Sequence, residues 1–222
     1  MSRNKYPEET VKLILEKALK LFIEKGYDNT SIQDIINNLG GLSKGAIYHH
    51  FKSKEDIFEA VCQKLGEENA VYYDNMRDDK TKNGYEKLKE MIRSAYTNPN
   101  NDAVIAMQDK IAADPKFLMS QIRESYELVA PKYIEPIIRQ GIADGSIKTD
   151  YPRELASVII TLLNIWINPM IEQTTAIQMR QKLKFFGELL CGIGIDLIDD
   201  EITEQYAIYC EQYNRYKKDD CS

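Results

Sequence analysis

One short feature near the N-terminus, the glycine pair Gly40–Gly41, constrains the fold more than any other part of the sequence. Glycine adopts positive φ angles at little cost, so an adjacent pair predicts a sharp turn. Apolar residues at helical spacing precede the pair in Ile32–Leu39 and follow it at Ile47 and Phe51. Each of these segments is too short to be stable as an isolated helix in water. We therefore expect two short helices that are joined by a tight turn and share a core with a neighbouring helix.

Longer helices are expected on both sides of this pair. The segment Glu8–Lys25 carries apolar side chains three and four positions apart, which is typical of an amphipathic helix, and Gly26 supplies a stop. The segment Ser53–Asp56 is a helix-cap signature that opens another helix with its own apolar stripe. A long helix, two short helices around a tight turn, and a connecting helix match the helix-turn-helix plan.

Polar residues just before the short helices are the expected helix caps. In Thr30–Gln33, we expect a capping box in which the Thr30 hydroxyl caps an early amide and the Gln33 side chain reaches back. Ser43 is the expected cap of the second short helix. In that helix Ile47 and Phe51 face inward, so the side chains between them are expected on other faces.

The rest of the chain shows helical periodicity and no strand alternation. The predicted helices are Gly84–Thr97, Asp102–Ala113, Asp114 to about Gln140 with kinks at Pro131 and Pro136, Asp150 to about Glu172 with a bend or a break at Asn168–Pro169, Met179 to about Asp199, and Glu201–Tyr216. We therefore predict an all-α chain of about nine to ten helices. Residues 1–60 are expected to form a three-helix helix-turn-helix domain, and residues 61–222 a larger C-terminal helical bundle.

Charge is distributed unevenly along the chain. The net charge is −6, yet the segment Gly40–Lys54 contains three lysines, both histidines of the chain and no acidic residue. Binding to nucleic acid depends on such a local cationic patch rather than on the total charge. A solvated run of charges without a partner is the alternative interpretation of a patch this small.

Other function classes lack a sequence signature. No apolar run is long enough to span a membrane and the N-terminus is polar, which predicts a cytoplasmic protein with no membrane association. The four cysteines have no metal-binding spacing, so neither a metal nor a cofactor is expected. Phosphate-loop, metalloprotease, serine-hydrolase and kinase motifs are absent, so we do not expect an enzyme. A helical scaffold or interaction protein without a role on DNA remains the alternative.

The segment Thr30–Phe58 reads TSIQDIINNLGGLSKGAIYHHFKSKEDIF and resembles the DNA-binding signature of the TetR family of transcriptional regulators. The resemblance covers about residues 8–62. One residue more than is usual in the family separates the turn glycine Gly40 from Ser43, which leaves the tilt of the third helix open. The resemblance implies a sequence-specific regulator, a repressor released by a small-molecule effector, that binds a palindromic operator in double-stranded DNA as a homodimer.

The third helix is the expected recognition helix, with its N-terminal residues at base edges in the major groove. Lys44 can donate to guanine O6 and N7, while the resemblance implies phosphate contacts at Tyr48, His50 and Lys54. Packing of the Tyr48 and His50 rings in the domain's own core, and a merely solvated Lys54, are the alternatives. The full set of expected DNA-contacting residues is Thr30, Ser31, Ser43, Lys44, Gly45, Ala46, Tyr48, His49, His50 and Lys54.

The last two long helices before the terminal one carry the predicted dimer surface. An apolar stripe on the first and a face of small residues on the second suit close helix packing. The residues of this surface are Ala156, Ile160, Leu163, Ile167, Gly187, Leu190, Cys191 and Gly194. The resemblance implies that the two helices pair with their mates as a four-helix bundle. Closure of the same face on the monomer's own core is the alternative.

An effector pocket is expected among the middle helices of the C-terminal domain. Aromatic and soft side chains of the kind that line small-molecule sites are concentrated there. The candidates are Tyr72, Tyr73, Met76, Tyr85, Met91, Tyr96, Met107 and Met119. For any one of these residues an ordinary place in the hydrophobic core is the alternative.

Overall fold

The computed structural model describes residues 7–40, 44–105, 107 and 115–219, and all the regular structure in these ranges is helical. The predicted all-α class is therefore confirmed. The chain divides into two compact units. The head unit comprises the described residues of Met1–Ala70 and Asp102–Lys110, and the body unit comprises Val71–Asn101 and the described residues of Ile111–Ser222. The domain boundary at residue 60 stays a prediction, since the helix that follows it continues without a break to Asp78.

The head unit contains three helices and most of a fourth: α1 Pro7–Lys25, α2 Ile32–Asn37, α3 Lys44–His50 and α4 Lys54–Asp78. The predicted stop of α1 is confirmed, because Gly26 adopts a φ of +77° and donates its amide to the Phe22 carbonyl at 3.0 Å. Such a left-handed glycine satisfies a carbonyl that the helix end leaves without a partner. It also turns the chain sharply towards α2.

The predicted capping box of α2 is wrong by one residue. Ser31 is the N-cap: its hydroxyl accepts from the Asp34 amide at 3.1 Å, and its own amide donates to the Asp34 carboxylate at 2.9 Å. The Thr30 hydroxyl instead donates to the Gly26 carbonyl at 2.8 Å, and the residue is only 1% exposed. Gln33 bonds to Asn37 further along the helix. The carboxylate of Asp34 is a stronger acceptor than the amide of Gln33, and the box spacing fits either pair.

The inward face of α3 agrees with the sequence. Ile47 and Phe51 are buried, as predicted, together with Ile35 of α2. The cap signature of α4 is also confirmed, because the Ser53 hydroxyl accepts from the Asp56 amide at 3.0 Å. The two short helices thus share one core with their neighbours, which supplies the stability that neither has alone.

The body unit is built from helices and two π-helical segments. These elements are α5 Gly84–Thr97, α6 Pro115–Glu124, the π-helical Ser125–Ile134, α7 Glu135–Asp144, α8 Pro152–Thr161, the π-helical Leu162–Trp166, α9 Ala176–Gly192 and α10 Asp200–Asp219. The prediction of α5 is confirmed to the residue. Of the predicted helix Asp102–Ala113, the structure describes a helical run at 101–105 and residue 107 only.

Proline and glycine determine where the body helices change course. Pro131 lies inside the first π-helical segment, and Pro136 lies in the first turn of α7. The kinks expected at these two prolines stay predictions. The break predicted as one alternative at Asn168–Pro169 is confirmed, because the helical structure ends before these residues, as expected where proline disfavours helix at the residue before it. None of the helices in the described ranges combines the length and apolarity that crossing a lipid bilayer would demand.

The helix predicted over Met179–Asp199 ends early, at Gly192. Gly194 adopts a φ of +81° and donates its amide to the Cys191 carbonyl at 2.9 Å, while Ile195 donates to the Leu190 carbonyl at 2.9 Å. These two bonds, with Leu190 and Ile195 both buried, form a Schellman motif that terminates α9. Gly194 therefore lies beyond the helix, and the expected small-residue face does not extend to it.

The side chain of Lys87 is a cation buried in the body core. The side chain of Lys87 on α5 donates to the Arg77 carbonyl at 2.6 Å and to the Gln140 side chain at 2.7 Å. Arg77 lies in the last turn of α4, so the ammonium satisfies one of the carbonyls that a helix end leaves open. The helices α5 and α7 cross closely, because a Cβ on Gly84 would overlap the backbone nitrogen of Gly141.

Candidate nucleic-acid interface

The exposed face of α3 carries the side chains that the sequence assigns to DNA. Lys44, Gly45, Tyr48 and His49 are exposed, and Tyr48 retains 44% of its accessible surface. The alternative in which Tyr48 packs in the core therefore does not fit its exposure. Because the apolar side of α3 is buried and its polar side is open, the helix is seated as a recognition helix requires.

The polar groups on α3 are close to one another. The Lys44 ammonium lies 5.8 Å from the centroid of the Tyr48 ring, and the rings of His49 and His50 are 5.0 Å apart. This arrangement presents an ammonium, a phenol and an imidazole to solvent within two helical turns, all of which can donate to phosphate or base acceptors. His50 is half-buried and lies at the edge of an open groove lined by α1 and α4 residues such as Leu15.

The start of α2 is already occupied by a carboxylate. Ser31 is exposed, but its amide is bonded to Asp34, whose carboxylate also lies 3.4 Å from the Lys25 ammonium. The hydroxyl of Ser31, then its amide, lowers the pKa of Asp34, so this group carries a negative charge near neutral pH. A DNA phosphate at this helix end would meet that charge. The expected contacts at Thr30 and Ser31 stay predictions, with the Thr30 hydroxyl turned into the protein.

The side chain of Lys54 lies within the head unit. Its ammonium donates to the Tyr27 carbonyl at 2.9 Å and to the Asp28 carbonyl at 3.5 Å. It also lies 4.1 Å from the centroid of the Tyr27 ring, a cation–π distance. The importance of Tyr27 was missed in the sequence, where the only signal was its place after the helix-ending Gly26.

The structure does not describe the side chains of two of the expected DNA-contacting residues. Ser43 lies outside the described residues with the second half of the glycine turn, and the structure describes no side chain for Ala46. Gly40, the first glycine of the turn, has a φ of +61°, which fits the predicted sharp turn. How the additional residue before Ser43 affects the tilt of α3 stays a prediction.

Most of the predicted dimer residues face the body core. Buried members are Ala156, Ile160, Ile167, Gly187 and Leu190, whereas Leu163 is half-buried, and Cys191 and Gly194 are exposed. Other apolar residues of the same region remain open to solvent instead. We define the exposed apolar face by Val158 on α8 with Phe185, Leu189 and Ile193 on or just after α9. The Phe185 ring lies 5.9 Å from the ring of Trp166 in an edge-to-face arrangement.

The predicted effector residues fall into three groups. Tyr72, Tyr73, Met76, Tyr85, Met91 and Tyr96 are in or against the body core. Met119 is exposed on α6, and Met107 is buried in the head unit. The Tyr73 ring lies 5.5 Å from that of Tyr72 and 5.6 Å from that of Tyr133, and burial raises the pKa of the Tyr73 phenol.

Comparisons with known proteins agree with the fold and with the signature in the head unit. Residues 14–61 match the family described as bacterial regulatory proteins, tetR family. The chain is 29% identical to the HTH-type transcriptional repressor KstR2 of Mycolicibacterium smegmatis over 147 residues, which make up 64% of this chain and 69% of that protein. It is 26% identical to the HTH-type transcriptional repressor AcnR of Corynebacterium glutamicum over 167 residues, or 73% of this chain and 82% of that one.

A solved structure gives the same picture for the fold. A transcriptional regulator from Cytophaga hutchinsonii superposes with a TM-score of 0.61 at 19% identity, covering 96% of this chain and 98% of that chain. At this level of identity the likeness concerns the fold alone. The match over residues 14–61, which contain all of α2 and α3, shows that this part of the chain is similar to the tetR family of bacterial regulatory proteins.

Proposed function

We propose that this protein is a transcriptional repressor that binds a palindromic operator as a homodimer and leaves it when a small molecule binds. The observation that carries the proposal is the seating of α3. Its apolar residues Ile47 and Phe51 are buried, while Lys44, Tyr48 and His49 are exposed on the opposite side. A helix held in this way can enter the major groove without unfolding any part of the core.

Charge supports DNA as the partner of this face. No acidic residue occurs between Gly40 and Lys54, and Lys44 and Lys52 are both exposed there. Lysine neutralises phosphates, and the counterions that DNA releases favour binding. Residues 1–60 have no net charge and the rest of the chain carries the excess of acid, so the acid-free segment Gly40–Lys54 is the part of the chain expected to approach the duplex.

Selection from a pool of random duplexes with the purified protein tests the function. We expect a palindrome whose half-sites are about one helical turn apart or a multiple of it. The selected duplex should bind more weakly as salt rises, with a linear dependence of log Kd on log salt. Enrichment of no sequence, or binding that salt leaves unchanged, would refute the proposal.

The exposed apolar face supports the homodimer. Isolated apolar side chains are common on protein surfaces, but Phe185, Leu189 and Ile193 are all exposed at intervals of four residues along α9 and just after it, and Val158 is exposed on α8. A two-fold dimer would bury them against the same residues of a second copy. We assign the dimer contact to this exposed apolar face. Of the dimer residues predicted from the sequence, Cys191 is the one that is both on α9 and exposed.

The effector is proposed to bind the body unit beside the tyrosines of its core. Tyr73 and Tyr96 combine apolar rings with hydroxyl groups that can orient a small, mainly apolar ligand. The ligand must bind the DNA-free state more tightly than the DNA-bound state in order to release the operator. Screening small molecules for release of the selected duplex tests this, and a ligand that raises the melting temperature without releasing DNA would contradict it.

A further inference from the structure

The ammonium of Lys54 has its principal partners inside the protein. A lysine ammonium has three donors and no acceptor. Two of these donors are directed at the carbonyls of Tyr27, at 2.9 Å, and Asp28, at 3.5 Å. The Tyr27 ring, with its centroid 4.1 Å from the ammonium, adds a cation–π contact. The protein therefore engages two of the three donors of this cation, which leaves one donor for any phosphate.

The partner of Lys54 is itself firmly held. Tyr27 is 5% exposed, and its hydroxyl donates to the Glu55 carboxylate at 2.8 Å. Its ring centroid is 5.4 Å from that of Phe22 and 4.8 Å from that of Phe58. Burial, followed by the hydrogen bond to Glu55, raises the pKa of the Tyr27 phenol, so the hydroxyl remains a donor at neutral pH. Lys54 and Glu55, which are adjacent on α4, therefore bind the backbone carbonyl and the side-chain hydroxyl of Tyr27.

The Tyr27 carbonyl connects this contact to α2. It accepts from the Thr30 amide at 3.2 Å as well as from Lys54, and the Thr30 hydroxyl returns to the Gly26 carbonyl at 2.8 Å. Ser31, the next residue, caps α2. Only three residues thus separate the carbonyl held by Lys54 from the residue at which α2 is capped.

We propose that Lys54 is a positioning residue for DNA binding, which clamps the turn between α1 and α2 to the start of α4. The resemblance to the family implied a phosphate contact instead. The clamp fixes where α2 begins and thereby the place of the helix-turn-helix pair on the head core. This inference rests on the proposed function, since it concerns how the recognition helix is held for DNA.

The substitution Lys54→Met tests the clamp, because it keeps the aliphatic stem and removes the cation. The matched control is Lys52→Met, which removes the same charge from an exposed side chain two residues earlier. For Lys54→Met we expect a melting temperature several degrees lower without DNA and roughly tenfold weaker binding. The slope of log Kd against log salt should stay as in the wild type. An unchanged melting temperature with a slope reduced by about 0.9 would mean a phosphate contact and would overturn the proposal.

The conservative variant Lys54→Arg provides the second arm. Its guanidinium can still donate to the Tyr27 carbonyl and lie over the ring, so melting temperature and affinity should return most of the way to wild type. Amide chemical shifts of Thr30 and Ser31 should move in Lys54→Met and be restored in Lys54→Arg. If Lys54→Arg has neither the melting temperature nor the affinity of the wild type, the clamp is contradicted. This comparison remains valid even if Lys54→Met does not fold.

Failure of the Lys54 clamp can be distinguished from failure of the proposed function. If the wild-type protein selects no duplex, the proposed function fails. The melting temperatures and the amide shifts of Thr30 and Ser31 then still decide whether Lys54 holds the turn. If the wild type binds DNA while Lys54→Met leaves the shifts unchanged, the clamp alone is refuted.

Discussion

Under the proposed function, we expect single side chains on α3 to have separate roles in reading the DNA sequence and in contacting its backbone. Lys44 is exposed at the first turn, where a recognition helix meets base edges. Tyr48, one turn later, is half open to solvent and better suited to the backbone of the duplex. The sequence predicted both from the spacing of Ile47 and Phe51, because two inward residues four apart leave the other positions of a short helix exposed.

Substitution of Lys44 by alanine should relax the preference at one base pair of each half-site. The loss of donors to guanine O6 and N7 should cost about 1–3 kcal/mol on the selected operator and much less on other sequences. Competition binding with single-base operator variants measures the effect. Lys20→Ala, at an exposed position on α1, is the control. An unchanged base preference in Lys44→Ala would disprove the assignment.

Acid should destabilise the helix caps of the head unit. The pKa of Asp56 lies below its ordinary value of 3.8, mainly because the Lys52 amide and then the Ser53 hydroxyl bond to the carboxylate. A carboxyl whose pKa is lowered by folding contributes stability above about pH 3.8 and loses it as the pH falls through the lowered value. Asp34 follows the same rule through Ser31.

The variant Asp56→Asn isolates this contribution. Asparagine can still accept the Lys52 amide but does not titrate. Thermal unfolding followed by circular dichroism from pH 7 to pH 2 should show a smaller acid loss for Asp56→Asn than for the wild type. Equal losses in both proteins would show that the cap carboxylate does not contribute to the acid dependence.

At the level of whole helices, the sequence predicted that most of the helices exist. It was less accurate about the residues at which they begin and end. The stop of α9 is the clearest case, since Gly187, Cys191 and Gly194 were interpreted as one small-residue face of a continuous helix. The structure places Gly192 in the helix and gives Gly194 a φ of +81° beyond it. A Cβ at either position would meet nothing within 4 Å, so the two sites differ in backbone conformation and not in space.

Alanine at these two glycines should therefore have opposite effects on stability. Gly194→Ala places a Cβ in the left-handed region and should destabilise the protein by about 1–2 kcal/mol. Gly192→Ala, in the last turn of the helix, should stabilise it by up to about 0.5–1 kcal/mol. Chemical denaturation of both variants at one protein concentration checks the pair. Equal effects of the same sign would show that the end of α9 is not fixed as described.

Other departures from the sequence prediction have similar physical causes. Thr30 and Ser31 are both good caps with an acceptor three residues later, so residue type alone could not choose between them. The contact from Lys54 to the Tyr27 carbonyl ends on a backbone acceptor, which has no residue-specific signature. Helical periodicity predicts the presence of Ser125–Ile134 as helix but does not distinguish π-helical hydrogen bonding.

For the molecule as a whole, the proposed binding to a palindromic operator requires two copies of α3 on one duplex. The sequence predicted that α8 and α9 carry the dimer surface, but it chose residues by apolar spacing, which the body core also needs. The structure buries Ile160 and Leu190 and leaves Phe185 and Leu189 exposed. A single sequence cannot distinguish an apolar stripe that faces its own core from one that faces a second copy.

A charge placed on the exposed apolar face should separate the copies. We expect Leu189→Glu, at a position 46% exposed, to leave the melting temperature of the monomer nearly unchanged and to shift sedimentation towards monomer. Val71→Glu, at an exposed apolar position on α4, is the matched control and should stay dimeric. Affinity for the palindrome should fall with the dimer. Unaltered sedimentation of Leu189→Glu would show that this face is not the contact.

The most direct test of the central claim is protection of guanine N7 from methylation on the selected operator, because N7 lies in the major groove. Insertion of α3 predicts protected guanines at symmetric positions in two half-sites, about one helical turn apart or a multiple of it. Protection in one half-site only, or no protection at N7 while the duplex is fully bound, would contradict the account.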